Sequence, residues 1–248
     1  MPAGWRRARG LALGVTLLAL SLPPLAHADS PGWLEDFARG RLDPGRWQRT
    51  VEGDVREWSA EVVEAPGRGS GFRLRLQADT RGTRDDTLKF VGVRSVMPVA
   101  LREGGRVAVR LDWGAQANGS YLTAALVLSP HVTGGNPLTA SDWLQVAYVG
   151  VPPGRNARLL VGYRTHGRDR TVYTEGWPDT NRQGRRIGVQ DVAVHLRDGA
   201  LEVWEAERRL WRSQAGEIAL APVHLYLQMS SHSNYPARSV YFERIEVR

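Results

Sequence analysis

Residues 226–238, YLQMSSHSNYPAR, leave an apolar alternation and enter a run of hydroxyls that also carries His232, Asn234 and Tyr235. Hydroxyl, amide and imidazole groups at a sheet rim can hydrogen-bond sugar hydroxyls while a tyrosine ring stacks on a pyranose face. The same Ser and Asn side chains can instead satisfy their own loop backbone. Residues 173–178, YTEGWP, hold a second candidate. There Trp177 follows a glycine and offers a stacking surface, and Glu175 is an acceptor for sugar hydroxyls; packing in the core is the competing use of Trp177. Ser231 and Ser233 flank His232, but the strand–turn–helix context of a nucleophilic serine is missing. The histidines at 131, 166, 195, 224 and 232 lack the close spacing of zinc ligands.

These candidates must be positioned by strands, because the hydrophobic period is two along nearly the whole chain. Phe72, Leu74, Leu76 and Ala78 alternate with Arg73, Arg75 and Gln77; Val107, Val109 and Leu111 alternate with Ala108, Arg110 and Asp112. Further strands are expected near 88–97, 121–129, 143–150, 157–164, 192–197, 200–205, 223–230 and 238–247. Asp198-Gly199 predicts a tight hairpin turn, since both residues tolerate positive φ. No segment beyond residue 28 has a helical stripe. The expectation is an all-β fold, a two-sheet antiparallel sandwich.

Arg6, Arg7 and Arg9 precede an apolar run from Leu11 to about Leu22, and Ala26-His27-Ala28 fits a cleavage site. Residues 1–28 therefore read as a secretory signal peptide and 29–248 as one β-sandwich domain, exported to the periplasm or the medium. The apolar run falls short of the ~20 residues a membrane-spanning helix needs, so no membrane insertion is expected after cleavage. There is no cysteine, hence no disulfide to staple the fold. Of 33 basic residues three lie in the leader, so 30 against 26 acids leave the remainder at +4. Scattered arginines on an exported chain argue against nucleic acid as a partner. Lys89 is the single lysine. Arginine, with its planar fork, is suited to carboxylates or sulfates on an acidic glycan.

Several segments resemble the concanavalin A-like lectin/glucanase superfamily, in particular the jelly roll of glycoside hydrolase family 16. Glu35-Asp36-Phe37 with Leu42-Asp43-Pro44 and Trp47 resembles its opening, and Val93-Arg94-Ser95 its Arg-Ser strand. Residues 143–150 are similar to its catalytic strand, 192–211 to a later hairpin and 240–247 to its closing strand. The resemblance implies a concave sheet with a sugar cleft. In the family the catalytic strand reads Glu-x-Asp-x-Glu, which supplies the two carboxyl groups about 5 Å apart that retaining hydrolysis needs. Here those places hold Trp143, Gln145 and Ala147, which cannot attack, protonate or tune. The chain also resembles alginate-lyase-like members of the same architecture, with Arg94, Gln145, Tyr226 and Gln228 in matching order and Ala147 in place of their histidine. A structural calcium, as held by such jelly rolls, would fall nearest to Glu35, Gly40 and Glu243; no other cofactor is implied.

The residues together predict a carbohydrate-binding, lectin-like protein that takes a polysaccharide or oligosaccharide and lacks the glucanase acids. Arg94, Trp143, Gln145, Trp177, His232, Asn234 and Tyr235 are its expected contacts. Two alternatives stay open: an enzyme with a non-standard site, such as a lyase on acidic glycans, and a structural envelope protein.

Overall fold

The period of two is realised as two antiparallel sheets packed face to face in a computed structural model that describes residues 32–65, 71–84, 88–113, 122–130, 132–150, 156–176, 185–186, 188–218, 220, 222–231 and 234–248. The expected export leader lies outside the described residues. From edge to edge, the first sheet runs β14 (Arg208–Arg212), β13 (Ala200–Glu205), β12 (Gly188–Arg197), β6 (Arg106–Trp113), β16 (Arg238–Val247), β4 (Phe72–Asp79) and β3 (Glu57–Glu64), with β1 (Trp33–Glu35) also on β16. The second runs β10 (Arg168–Glu175), β9 (Asn156–Thr165), β8 (Trp143–Gly150), β7 (Thr123–Ser129), β15 (His224–Ser231), β5 (Lys89–Ser95) and β2 (Trp47–Glu52), with β11 (Arg185–Arg186) on β9. The chain crosses repeatedly between the sheets, and this is the expected jelly-roll sandwich.

Alternation assigns each strand an inner and an outer row. Leu74, Leu76, Val107, Val109 and Leu111 from the first sheet meet Val91, Val93, Leu126, Val146 and Leu227 from the second in one core. Burial of each such side chain is worth about 1.5–3 kcal/mol, which must hold a fold without disulfides. The Asp198-Gly199 turn forms as predicted, with φ of 51° and 68° between Arg197 and Ala200. The one helical segment among the described residues is a 3-10 turn, Pro137–Thr139, capped by the Asn136 side chain. Strands β2, β3, β10 and β14, beyond those expected at 88–247, are the four sheet edges.

The core is not apolar throughout. Lys89 faces inward at 2% exposure and its ammonium donates to the Arg84 carbonyl at 2.5 Å. At the same end Tyr235 lies in the core, with its backbone N–H donating to Thr80 Oγ1 at 3.0 Å and its carbonyl accepting from the Thr80 N–H at 3.1 Å. Burial pushes the Tyr235 hydroxyl up to about 12, against opposing hydrogen bonds with Ser231 and Thr80.

Candidate functional site

The outer face of the second sheet holds three of the expected contacts. Cross-strand pairing sets Arg94 on β5, Tyr226 on β15, Val127 on β7, Gln145 on β8 and Gly162 on β9 in one row. The next row is Gly92, Gln228, Ala125, Ala147 and Leu160. Trp143, Gln145 and Ala147 therefore share a face, as the alternation of β8 predicts.

Much of this face is covered by protein. Ala125, Val127, Trp143, Ala147 and Tyr226 form a second apolar cluster, joined by Val132, Leu138 and Leu160. The loop between β7 and β8 is tied down over it. Glu52 Oε2 accepts from the backbone N–H groups of Gly135 and Asn136 at 2.7 and 2.9 Å, and Gln228 Nε2 donates to the Gly135 carbonyl at 2.6 Å. At the other side Arg164 Nη1 donates to the Leu138 and Ala140 carbonyls at 3.1 and 3.2 Å. Gly135 is needed for the approach, because a Cβ there would stand 2.7 Å from the Val51 backbone. This corrects the expectation for Trp143: at 7% exposure, with the Arg164 guanidinium 5.9 Å from its ring centre, its ring is packed and presents no open stacking surface.

Gln145 is half-exposed and makes no side-chain hydrogen bond to a described residue. Beside it lie Gly162 and, across β9, the exposed Thr171. Arg94 is also partly exposed; it donates to Gln48 and lies against the Tyr226 hydroxyl. Tyr226 itself is fully buried, and burial raises its hydroxyl pKa, opposed by hydrogen bonds from the Val132 N–H and Arg94. The acids of this face among the described residues are Glu52 and Asp169. They sit on opposite edge strands, six strand spacings or roughly 25–30 Å apart, far beyond the ~5–9.5 Å of glycosidase carboxyl pairs. Both are engaged, Glu52 by the loop and Asp169 by Arg164. Hydrogen bonding from Arg164, outweighing burial, holds Asp169 below the usual carboxylate range.

Other expected contacts fall elsewhere. Tyr235 cannot stack on a ligand, because its ring is 5% exposed in the main core. Asn234 accepts from Thr83 Oγ1 at 3.0 Å, fastening the same segment to the loop after β4. Trp177 and His232 lie outside the described residues. Glu175 departs from its expected role for a local reason: a β-bulge between Thr171 and Tyr173 adds one residue to β10 and turns Tyr173 and Glu175 inward. Buried there, Glu175 accepts from Tyr173 and from Arg208 Nη2, the latter at 3.1 Å.

The carboxylates of the calcium candidates are engaged by the chain's own groups. Glu35 Oε2 accepts from Arg46 Nη1 and Trp47 Nε1, both at 3.2 Å, and its Oε1 from the Phe37 N–H at 3.1 Å, so its oxygens hold the chain's own donors. Glu243 is paired with Arg110 at 3.1 Å, and Gly40, at φ 63°, packs under Phe72. No cluster of three or more metal-ligating side chains occurs among the described residues.

Comparison with solved structures places this geometry on a known scaffold. An endo-acting O-glycanase structure, from work on human gut bacteria and mucin breakdown, matches with a TM-score of 0.60 at 15% identity, covering 87% of this chain and 97% of that one. The Bacillus licheniformis β-glucanase gives 0.55 at 11%, covering 88% and 98%. LamA from Zobellia galactanivorans in complex with laminaritriose and laminaritetraose gives 0.56 at 13%, covering 87% and 97%. No protein-family model matches the sequence, and neither does any curated protein.

Proposed function

On the jelly-roll scaffold it shares with β-glucanases, we propose that this chain is an exported carbohydrate-binding protein that holds an oligosaccharide or polysaccharide without cleaving it. The observation that carries the reading is β8, which presents Trp143, Gln145 and Ala147 to the outer face while the acids of that face among the described residues, Glu52 and Asp169, stand on opposite edges of the sheet. Such a face can hydrogen-bond and exclude water, but its described residues include no pair to protonate a leaving group and attack an anomeric carbon. Gln145 is the central polar contact, with Thr171 across β9 offering a hydroxyl. Arg94 borders the covered half. Trp177 and His232 are retained as contacts on sequence grounds alone. The neighbours' action on polysaccharides supports the ligand class.

One observation favours a second reading, a lyase on acidic glycans: Arg94, the Tyr226 hydroxyl and Gln145 share a row, as charge neutralisation and proton transfer beside a uronate would need. Against it, Tyr226 is sealed under the loop that bonds it through Val132 at 3.4 Å.

Calorimetric titration of the mature protein with laminaritetraose, with parallel assays for new reducing ends and for unsaturated uronate from oligogalacturonate, separates these readings. Saturable binding with neither product is expected, and Gln145→Ala should weaken it about ten-fold while leaving the melting temperature unchanged. New reducing ends, unsaturated product or unchanged binding by that variant would overturn the proposal.

A further inference from the structure

The outer face of the first sheet carries a depression of about 220 Å3 that the neutral-sugar reading leaves unused. Its floor follows from two short side chains: pairing sets Glu246, Ala108, Ala193, Trp204 and Arg209 in one row across β16, β6, β12, β13 and β14. Ala108 and Ala193 sit side by side where their neighbours along the same strands are Arg106, Arg110, Asp191 and His195. The long side chains therefore form walls around an alanine floor.

The walls are not balanced in charge. Arg110 is occupied by Glu243 at 3.1 Å and faces Asp191 at 4.0 Å, and Arg244 lies 3.8 Å from Glu246, which also takes Arg248. Arg106 makes no side-chain hydrogen bond or ion pair with a described residue, and its buried Nε is unsatisfied. A buried guanidinium N–H left without an acceptor is costly, so an acceptor brought by a ligand gains more there than on open surface. His195, paired across the strands with Arg106, reports the same imbalance: burial first, then the charges of Arg197 and Arg106, lower its pKa.

Trp204 follows Ala193 in the same row, outside the residues that line the depression. Trp204 is half-exposed, and its Nε1 is fixed by Glu202 Oε2 at 2.9 Å. Glu202 is in turn held by Arg209 and Arg212 at 3.1 and 3.0 Å, so the indole is oriented before any ligand arrives. A shallow alanine floor suits the apolar C–H face of a pyranose, and an adjacent guanidinium fork suits a planar or tetrahedral anion.

We propose that this depression is a second binding site, for a negatively charged sugar unit of an acidic glycan, with its carboxylate or sulfate on Arg106 and Arg244 and its ring over Ala108 and Ala193. The site is separate from the Gln145 face, since the two lie on the outer sides of opposite sheets. Anionic and neutral saccharides thus have different addresses on one molecule.

Titration with oligogalacturonate, a sulfated dextran oligosaccharide and neutral laminaritetraose tests the site, the first two distinguishing carboxylate from sulfate as the source of charge. At least one acidic ligand should bind, weaken as sodium chloride rises, and lose about ten-fold or more in affinity with Arg106→Ala. Ala193→Leu fills the floor without touching a charge and should abolish binding with the melting temperature retained. Arg106→Lys keeps the charge but not the fork and guards against a folding defect of the alanine variant; a loss between the two is expected. Gln145→Ala should leave acidic binding intact, so failure here and failure of the neutral-sugar reading are told apart. Absence of binding by both acidic ligands, or unchanged binding in the Arg106→Ala and Ala193→Leu variants, would overturn the proposal.

Discussion

The two outer faces of the sandwich solve the same problem in opposite ways. Each strand must place every second residue away from the core. On the second sheet those residues are small or apolar at the centre, among them Ala125, Val127, Ala147 and Tyr226, and a loop from the same chain covers them. On the first sheet they are arginines and carboxylates, including the largely buried pair of Arg73 with Asp112 at 3.0 Å and the more exposed pair of Arg75 with Glu61 at 2.8 Å. The difference teaches where a ligand can compete. Displacing ordered solvent between charges is feasible, whereas displacing a loop tied at Glu52, Gln228, Tyr226 and Arg164 costs the hydrogen bonds of four side chains. The neutral-sugar face is therefore confined to the uncovered side around Gln145, and the charged face is the one that carries the depression beside Arg106.

The sharpest way to break the contrast is to truncate one tyrosine on each face. Tyr226→Ala removes a fully buried ring and should destabilise the protein by about 3–5 kcal/mol in urea unfolding, while Tyr241→Ala on the solvent-facing row removes a half-exposed ring packed under Arg73 and should cost about 1 kcal/mol. Equal losses would mean that the two faces are equally covered. A smaller effect is expected from untying the loop. Glu52→Ala leaves the N–H groups of Gly135 and Asn136 without their acceptor and should lower stability by about 1–3 kcal/mol, with faster amide exchange at those two positions. Unchanged exchange would show that the loop is held by its apolar side alone.

The mildest test uses pH. Burial works to raise the Glu202 carboxyl, but hydrogen bonds from Trp204 and Arg209 and the charges of Arg209 and Arg212 outweigh it and hold it below the usual range. A carboxyl depressed in the folded state contributes stability above its unfolded pKa of about 4.3 and loses it as pH falls through the folded value. Acid unfolding should therefore steepen below about pH 4. The Glu202→Gln variant, less stable at neutral pH, should show a shallower fall, seen in melting curves from pH 6 to 3. Parallel curves would remove Glu202 from the acid response.

Much of the architecture was legible because burial imposes a period of two on any strand with one wet face. The strands at 143–150, 200–205 and 238–247 fell where alternation put them, and Asp198-Gly199 made its turn. The strands outside that expectation were largely edge strands. An edge strand pairs on one side only and carries charges that blunt it, as β3 does with Glu57, Glu61 and Glu64, so its apolar period is diluted. The site was legible only in part. Arg94, Trp143 and Gln145 share the predicted face, but no local signal revealed that the loop after β7 would fold over Trp143, or that Tyr235 would turn into the core rather than toward the rim. Glu175 was misplaced for a subtler reason: one bulged residue in β10 inverts every side chain after it.

Residue order alone sets the alternation that makes a sandwich, the absence of disulfides and the replacement of carboxylates by Trp143, Gln145 and Ala147 along β8. These are properties of residue type and spacing, which no packing can alter. Tertiary packing selects which face each acid joins, which half of the second sheet is covered, and that Arg106 and Arg244 from distant parts of the chain border two alanines. Those outcomes depend on contacts between residues far apart in sequence, whose geometry exists only once the two sheets have closed on their common core.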